Sequence, residues 1–528
     1  MQHVYLRVRN AGTKAWQVPD DAPFHSELVV RVNDRVHATI RLPHDVPARS
    51  DVTFNFPFFV PLLFLKAREE NEFSFTLVVR EGDADRSASN EPLVVRFEIG
   101  PTEHDAAAEA LQVAEVACKA FYLPSGRVSR GRDGRLYPLV ARSASGCRIR
   151  DVLGNEWIDY VMGWGSALLG YAHPRVSDAI RAEVASGAAV SLPTYIELEV
   201  AQLLGDLIPC AQTTLFGKNG SDVCTAAVRL ARVHTGRWKI LFTGYSGWQE
   251  PFAQNFEAAL AQPGQPPSAF RFAADRLEQV ERLFDEHSDQ VAAVMLEPAA
   301  QVESVDGPVR DADPHFLNAL AELCRANGAL LIFDEIFTGF RHPGGSVQKA
   351  AGVVPDLACF GKALSGGMPL SVLVGRRDVM RSVDRIFYHP TFKGEAYSFA
   401  AAAAALKIYQ ESDVPAQIDR YGRLLMSAVN DLSRRLGVEG EMAGPPFRLL
   451  YRFNEPEPSR RMLLRTLLLQ ELLKRGVLPF RGCFIPSTAH GDRELQQTLE
   501  AFEGALRRVR GVRANNSFES ALEIPPVV

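Results

Sequence analysis

Cysteine is sparse in this chain and never clustered. Seven cysteines stand at positions 118, 147, 210, 224, 324, 359 and 483 of 528 residues, an odd number with no CxxC pair. A disulfide framework and a zinc site of the usual spacing are both disfavoured, and a reducing compartment fits best. Long apolar runs are missing too. The most apolar stretch, Phe54 to Leu65, is short and broken by Pro57 and Pro61, so it cannot span a bilayer. It reads as a buried strand or loop. The opening MQHVYLRVRN has no apolar h-region of a signal peptide. No excess of one charge is present: 58 Lys and Arg face 63 Asp and Glu, a net of −5. That balance gives no reason to expect a nucleic-acid or membrane partner. The expectation is a soluble, cytoplasmic protein. No Walker A loop occurs, and Ser246 in GYSGW lacks the second Gly of a nucleophile elbow.

What is present is ordinary globular composition, 46% hydrophobic and 23% charged. The length suits about three domains at ~150 residues each. VYLRVRN, SELVVRVN, HATIRLP, DVTFNFPF, EFSFTLVVRE and PLVVRFEIG are short alternating or β-branched runs, separated by turn residues. They predict an all-β sandwich over residues 1–100. The Ala- and Glu-rich stretch over 101–120 reads as a linker with a helix. From Phe121 the pattern changes. KILFT, VAAVMLE and ALLIFDE are strand-length apolar runs with helical segments beside them. Such alternation predicts an α/β fold with a mainly parallel sheet. Long amphipathic helices near the C-terminus point to a smaller α+β lobe.

Four features carry chemistry. In KNGSDVCTAAVRLAR a Gly-Ser-Asp turn opens a helix, and unpaired N–H groups at a helix start favour a phosphate. Taken alone, Ser221 or Asp222 reads better as an ordinary N-cap. Tyr245 follows the strand KILFT, where an aromatic can stack on a flat ring; a core aromatic is an equal reading. ALLIFDE ends in Asp334 and Glu335, and a carboxylate at the end of a buried strand needs a cationic partner. A structural acid pair is the alternative. A metal pair would need further ligands, and none stand at suitable spacing. Lys362 follows a short apolar strand and precedes Gly366 and Gly367. A half-buried lysine can form imines, while a surface lysine at a helix start is the plain alternative. A phosphate cup, a ring stacker, an acid for a ring nitrogen and an imine lysine, in that order, together point to one cofactor, pyridoxal 5′-phosphate.

From about Tyr122 to Val509 the chain resembles the class III, fold type I pyridoxal-phosphate aminotransferases. Within that class it is similar to the branch that includes glutamate-1-semialdehyde aminomutase. The motifs that carry the likeness are DVLGNEWIDYVMGWGSALLGYAHPRV, KNGSDVCTAAVRLAR, the Glu297–Pro298 pair, DEIFTGFR, VVPDLACFGKALSGGMPLSVLVG and PTFKGEAYSFAAAAA. The resemblance implies that Lys362 forms the internal aldimine and that Asp334 pairs with the pyridinium nitrogen. Tyr245 would stack on the ring, and Gly220, Ser221 and Asp222 would hold the phosphate. Thr391 would reach the phosphate of a neighbouring subunit, which implies a homodimer with shared active sites. Glu297 would be an acid near the cofactor. The implied reaction is transamination between an amino donor and a carbonyl acceptor; an intramolecular aminomutase and a non-catalytic scaffold are the alternatives. The implied division of the chain is 121–184 for the first part of the small lobe and 185–405 for the large cofactor-binding domain. Residues 406–514 would complete the small lobe, and 515–528 would form a flexible tail.

Two departures from that branch stand out. Ser246 occupies the place where the class commonly has His after the aromatic. Phe480-Arg481-Gly482 stands near where semialdehyde aminomutases carry Phe-Glu-Ala. Loss of that acid argues against the mutase reaction. Arg481 either binds a substrate carboxylate or is a surface arginine. In the first domain VRNAGTKAWQ resembles the opening strand of immunoglobulin-like modules that accompany polysaccharide-pathway enzymes. That likeness implies a sugar or a carrier-linked substrate.

Overall fold

The computed structural model describes residues 140–523 apart from 153, 188, 250–251, 253–266, 302–308, 312 and 516. It also describes strand backbones between residues 2 and 98 and between 128 and 138. The chain divides into two compact units, Met1–Ala106 and Ala107–Val528.

In the first unit every strand pairing is antiparallel. Gln2–Arg9 pairs with Asp51–Phe58. Phe24–Val32 lies between Arg35–Arg41 and Glu70–Glu81, and the latter also pairs with Ala84–Ser87 and Leu93–Glu98. Each β-branched run singled out above overlaps one of these strands. The linker helix expected over 101–120 lies outside the described residues.

The second unit is built on a seven-stranded sheet. Its strands and the first helix between them are β1 (Thr213–Gly217), α1 (Gly220–Thr235), β2 (Lys239–Thr243), β3 (Ala269–Arg271) and β4 (Val291–Leu296). The sheet continues through α2 (Pro314–Ala326), β5 (Leu330–Glu335), β6 (Leu357–Phe360) and β7 (Ser371–Gly375). The spatial order is β1-β7-β6-β5-β4-β2-β3. Only β7 runs antiparallel to its neighbours, so the sheet is mixed but mainly parallel.

Both faces of this sheet are covered, which is why its strands read as continuous apolar runs. Successive side chains point to opposite faces. Ile240, Phe242, Leu330 and Ile332 meet Val223, Ala227 and Leu230 of α1 on one side. Leu241, Leu331 and Phe333 join the larger cluster on the other, with Leu317 and Leu320 of α2. Helix α3 (Ala396–Glu411) packs its buried alanines into that larger cluster. Each fully buried Leu, Ile or Phe contributes roughly 1.5–3 kcal/mol of transfer free energy.

The remaining lobe joins distant parts of the chain. Strand Glu156–Asp159 pairs in parallel with β10 (Val477–Leu478). Helices α4 (Val414–Leu436), α5 (Pro458–Leu473) and α6 (Asp492–Asn515) surround the sheet of β8 (Gly440–Ala443), β9 (Leu449–Phe453) and β11 (Cys483–Phe484). The segment expected to be a flexible tail from residue 515 is packed where it is described. Phe518 and Ala521 are buried in the cluster that α4, α5 and α6 form, because a short helix at Phe518–Ala521 turns them inward. The six described cysteines are free. No described helix is long and apolar enough to cross a membrane.

Candidate active site

Parallel strands end on one edge of their sheet, and in open α/β folds that edge takes ligands. Here four chain segments converge there on one cavity of about 310 Å³. The turn after β1 brings Lys218 to Ser221, the turn after β2 brings Tyr245 and Ser246, the end of β5 brings Asp334, and the turn after β6 brings Lys362. Cys224 and Ser166 complete the polar lining.

Asp334 and Glu335 are adjacent in sequence and opposed in space. Glu335 points away from the cavity. Its carboxylate accepts from Val347 N at 2.7 Å and from Gln348 Nε2 at 3.1 Å, so its role is structural. Asp334 faces the cavity, 2% exposed. It accepts from Ile336 N at 3.1 Å, and Cys224 Sγ lies 3.8 Å from its other oxygen. Burial pushes its carboxyl up to about 7, and the charge of Glu297 adds to the rise. Beside it the Ser246 hydroxyl is buried, and its approach to the carboxylate opposes the rise.

Lys362 sits at the start of a short 3-10 turn with a left-handed backbone, φ 44. That conformation is costly for any side chain bulkier than glycine. Burial lowers its ammonium below the usual lysine range, while the carboxylates of Glu297 and Asp334 oppose the shift. Its Nζ lies 5.0 Å from the ring centre of Phe337.

Helix α1 opens at Gly220 and Ser221, with Asn219 as N-cap. Its first N–H groups face the cavity end that carries the positive pole of the dipole. Ser371 Oγ donates to Asn219 O at 2.8 Å and fixes the turn. Trp248 N donates to Ser221 Oγ at 3.4 Å. Glycine is needed at 247: its φ is 114, and a Cβ there would stand 2.7 Å from Ser221 Oγ. The Asp222 carboxylate accepts from Asn219 N at 2.8 Å and Lys218 N at 3.2 Å, closing the helix start.

Glu297 lies behind Tyr245, not on the cavity wall. One oxygen accepts from Tyr245 N at 3.4 Å and the other from Arg448 Nη1 at 2.7 Å. Arg448 was missed by sequence reasoning. It precedes a strand of the other lobe, and no local pattern marks it. Its guanidinium stacks 4.7 Å from the centre of the same Phe337 ring that Lys362 approaches. Thr391 is exposed and stands apart from the cavity of its own chain. Arg481 does not line the cavity either. Among the described residues no group of three His, Cys, Asp or Glu is placed to hold a metal ion.

These groups fit pyridoxal phosphate. A helix start with a glycine cradle would suit its phosphate, and a buried carboxylate would suit a ring nitrogen. A buried hydroxyl lies beside that acid, and a lysine with lowered basicity would suit its aldehyde.

Comparison with known proteins agrees. Residues 130–445 match the Aminotransferase class-III family. Curated relatives 30–34% identical carry the name glutamate-1-semialdehyde 2,1-aminomutase. That of Syntrophobacter fumaroxidans is 32% identical over 424 residues, 74% of this chain and 95% of that protein. The FumI protein of Sphingopyxis sp. MTA144, solved in its PLP internal aldimine form, superposes with a TM-score of 0.69 at 25% identity. That match covers 80% of this chain and 98% of the other. An omega-transaminase from Sphaerobacter thermophilus gives 0.67 at 25% identity, covering 78% and 98%. With more than half of its length matched and relatives above 30% identity spanning nearly all of their own, the chain belongs to the class-III aminotransferase family and is a pyridoxal-phosphate-dependent enzyme.

Proposed function

We propose that the enzyme moves an amino group within one small substrate, the aminomutase reaction, with Lys362 as the residue that binds the cofactor covalently. The sequence suggested transfer between two substrates first; the curated relatives favour the intramolecular alternative. The observation that carries the proposal is the meeting of Lys362, Asp334 and the α1 N-terminus in one cavity, in a chain so similar to aminomutases.

Bound pyridoxal phosphate supplies an aldehyde that captures amines and a ring that draws electrons from the carbon beside them. The chain does the rest. Lys362, its basicity lowered by burial, would take a proton from carbon and return it. Asp334, kept ionised by a cationic partner, holds the ring nitrogen protonated. The N–H groups at Gly220 and Ser221 anchor the phosphate, and Tyr245 covers a ring face. Arg448 and Glu297 neutralise each other next to the Tyr245 backbone. Thr391 serves the neighbouring subunit of a homodimer.

A second reading, two-substrate transamination, is favoured by one observation. Phe480-Arg481-Gly482 stands near where semialdehyde aminomutases carry Phe-Glu-Ala, and the missing acid counts against the intramolecular reaction. The discriminating assay supplies one amino-carbonyl compound and no second acceptor. Sustained turnover supports the mutase. Turnover that stops after one equivalent, and resumes when a keto acid is added, supports the transferase.

The N-terminal unit is read as an immunoglobulin-like sandwich that recognises a glycan or a carrier-linked substrate, on its sequence likeness and its all-antiparallel strands. Binding of the full chain to a glycan array tests this, and no binding above that of residues 107–528 sinks it.

A further inference from the structure

Away from the Lys362 cavity, the C-terminal lobe holds a recess whose polar lining is arginine. Arg452 comes from β9, Arg461 and Arg465 from α5, and Arg481 from the turn before β11. Leu450 and Met462 give it an apolar floor. The placement follows from simple periodicities. Arg461 and Arg465 are four apart and share one helix face. Tyr451 and Phe453 point into the core of the lobe, so Leu450 and Arg452 point the other way, into the recess.

The charges of Arg461 and Arg481 have no carboxylate partner among the described residues. Arg452 pairs with Glu441 at 2.7 Å. Arg461 donates to the backbone carbonyl of Glu455 at 3.0 Å, which orders the guanidinium and leaves its charge intact. Arg481 has no carboxylate partner among the described residues, and its Nε is buried without an acceptor. A buried unpaired donor is expensive unless a ligand satisfies it.

The backbone at Arg481 adds an independent argument. Phe480 N donates to Cys483 O at 3.1 Å, and Cys483 N to Phe480 O at 2.7 Å. Those bonds close a two-residue turn in which Arg481 has φ 51 and Gly482 has φ 85. Such turns favour Asn-Gly or Gly-Gly, because both central residues are left-handed. An arginine costs conformational energy there that glycine would not. Phe480, the turn's first residue, packs edge-on against Trp164 with ring centres 4.4 Å apart, which fixes the turn and with it the direction of the guanidinium.

Guanidinium groups arriving from a strand, a helix and a turn match a tetrahedral oxyanion, which accepts from several directions. A lone carboxylate offers one plane of acceptors. We propose that this recess binds the phosphoryl group of a small phosphorylated molecule, at a site separate from the cofactor's own phosphate anchor. The phosphoryl group belongs either to an arm of the substrate or to a separate effector.

The test uses the full-length enzyme saturated with pyridoxal phosphate, so that the cavity anchor is already filled. Inorganic pyrophosphate is titrated into it by isothermal calorimetry. One saturable site per chain is expected. The double variant Arg461→Gln/Arg481→Gln should bind at least tenfold more weakly, while Arg423→Gln, an exposed arginine paired with Asp419 on α4, should bind as before. Succinate, a dicarboxylate control, should bind at least tenfold more weakly than pyrophosphate. Unchanged cofactor absorbance and melting temperature establish that the double variant is folded. Absence of saturable binding overturns the proposal. So does equal binding by the folded double variant, or succinate binding as tightly. No turnover is needed, so failure here is distinct from failure of the aminomutase reading. Where a turnover assay exists, pyrophosphate that raises KM identifies the ligand as a substrate arm. A changed kcat at constant KM identifies an effector. Either result upholds the site.

Discussion

Asp334 should make the cofactor-free protein lose stability as pH rises. Its folded-state pKa is pushed from 3.8 up to about 7, first by burial and then by the charge of Glu297. A carboxyl raised in the folded state stabilises below its unfolded pKa, and that stability is lost as pH climbs through the folded value. A rise of about three units corresponds to ~4 kcal/mol at 1.36 kcal/mol per unit. Integrated over the window, more than half of this, about 3 kcal/mol, falls between about pH 5 and 8. Asn cannot titrate, so Asp334→Asn should gain on the parent by that amount over the same interval. Glu335 is also pushed up to about 7 by burial, but it acts alike in both proteins and cancels in the difference. The assay is urea unfolding of both cofactor-free proteins at the two pH values, with the midpoint shift multiplied by the common slope. Parallel behaviour of the two proteins, within about 0.5 kcal/mol, would refute the placing of Asp334 as an unpaired buried acid. Saturation with cofactor should flatten the parent's slope, because a cationic ring nitrogen removes the penalty.

Other outcomes follow from the same geometry. Lys362→Ala should fold and release its φ strain only in part; borohydride treatment should then fix no cofactor, whereas the parent should yield one labelled peptide containing Lys362. Gly247→Ala should drive a methyl group against Ser221 Oγ and weaken cofactor binding about tenfold or more, ~1.4 kcal/mol, measured by equilibrium dialysis. Arg448→Leu leaves Glu297 buried and uncompensated, so it should cost about 3–5 kcal/mol in chemical denaturation. Adding Glu297→Gln should recover much of that loss. Gly422→Ala sets a Cβ 2.1 Å from the carbonyl oxygen of Pro446. It should lower the melting temperature by several degrees while leaving the absorbance of bound cofactor in the surviving fraction unchanged.

Much of this was legible in the sequence. KILFT, VAAVMLE and ALLIFDE read as strands because strands covered on both faces are apolar throughout, and each run is shorter than an ordinary helix. Lys362 and Asp334 stood out because a charged residue ending such a strand contradicts its surroundings unless it serves a purpose. Other residues were hidden for physical reasons. Asp222 sits where helix capping and anion binding ask for overlapping residue types, and only the structure shows its bonds to Asn219 and Lys218. Arg448 and Phe337 meet through a pairing of distant lobes, which leaves no periodicity in either segment. For Arg481 the sequence left a substrate contact and a surface place both open, and it could not say which hollow the side chain lines. Phe518 looked like part of a loose end because a single buried aromatic after a long helix gives no repeat to read.

The four groups around the cavity come from turns after β1, β2, β5 and β6, spread from Lys218 to Lys362. No short fragment can therefore assemble them: removing any one of those strands takes away one wall of the cavity.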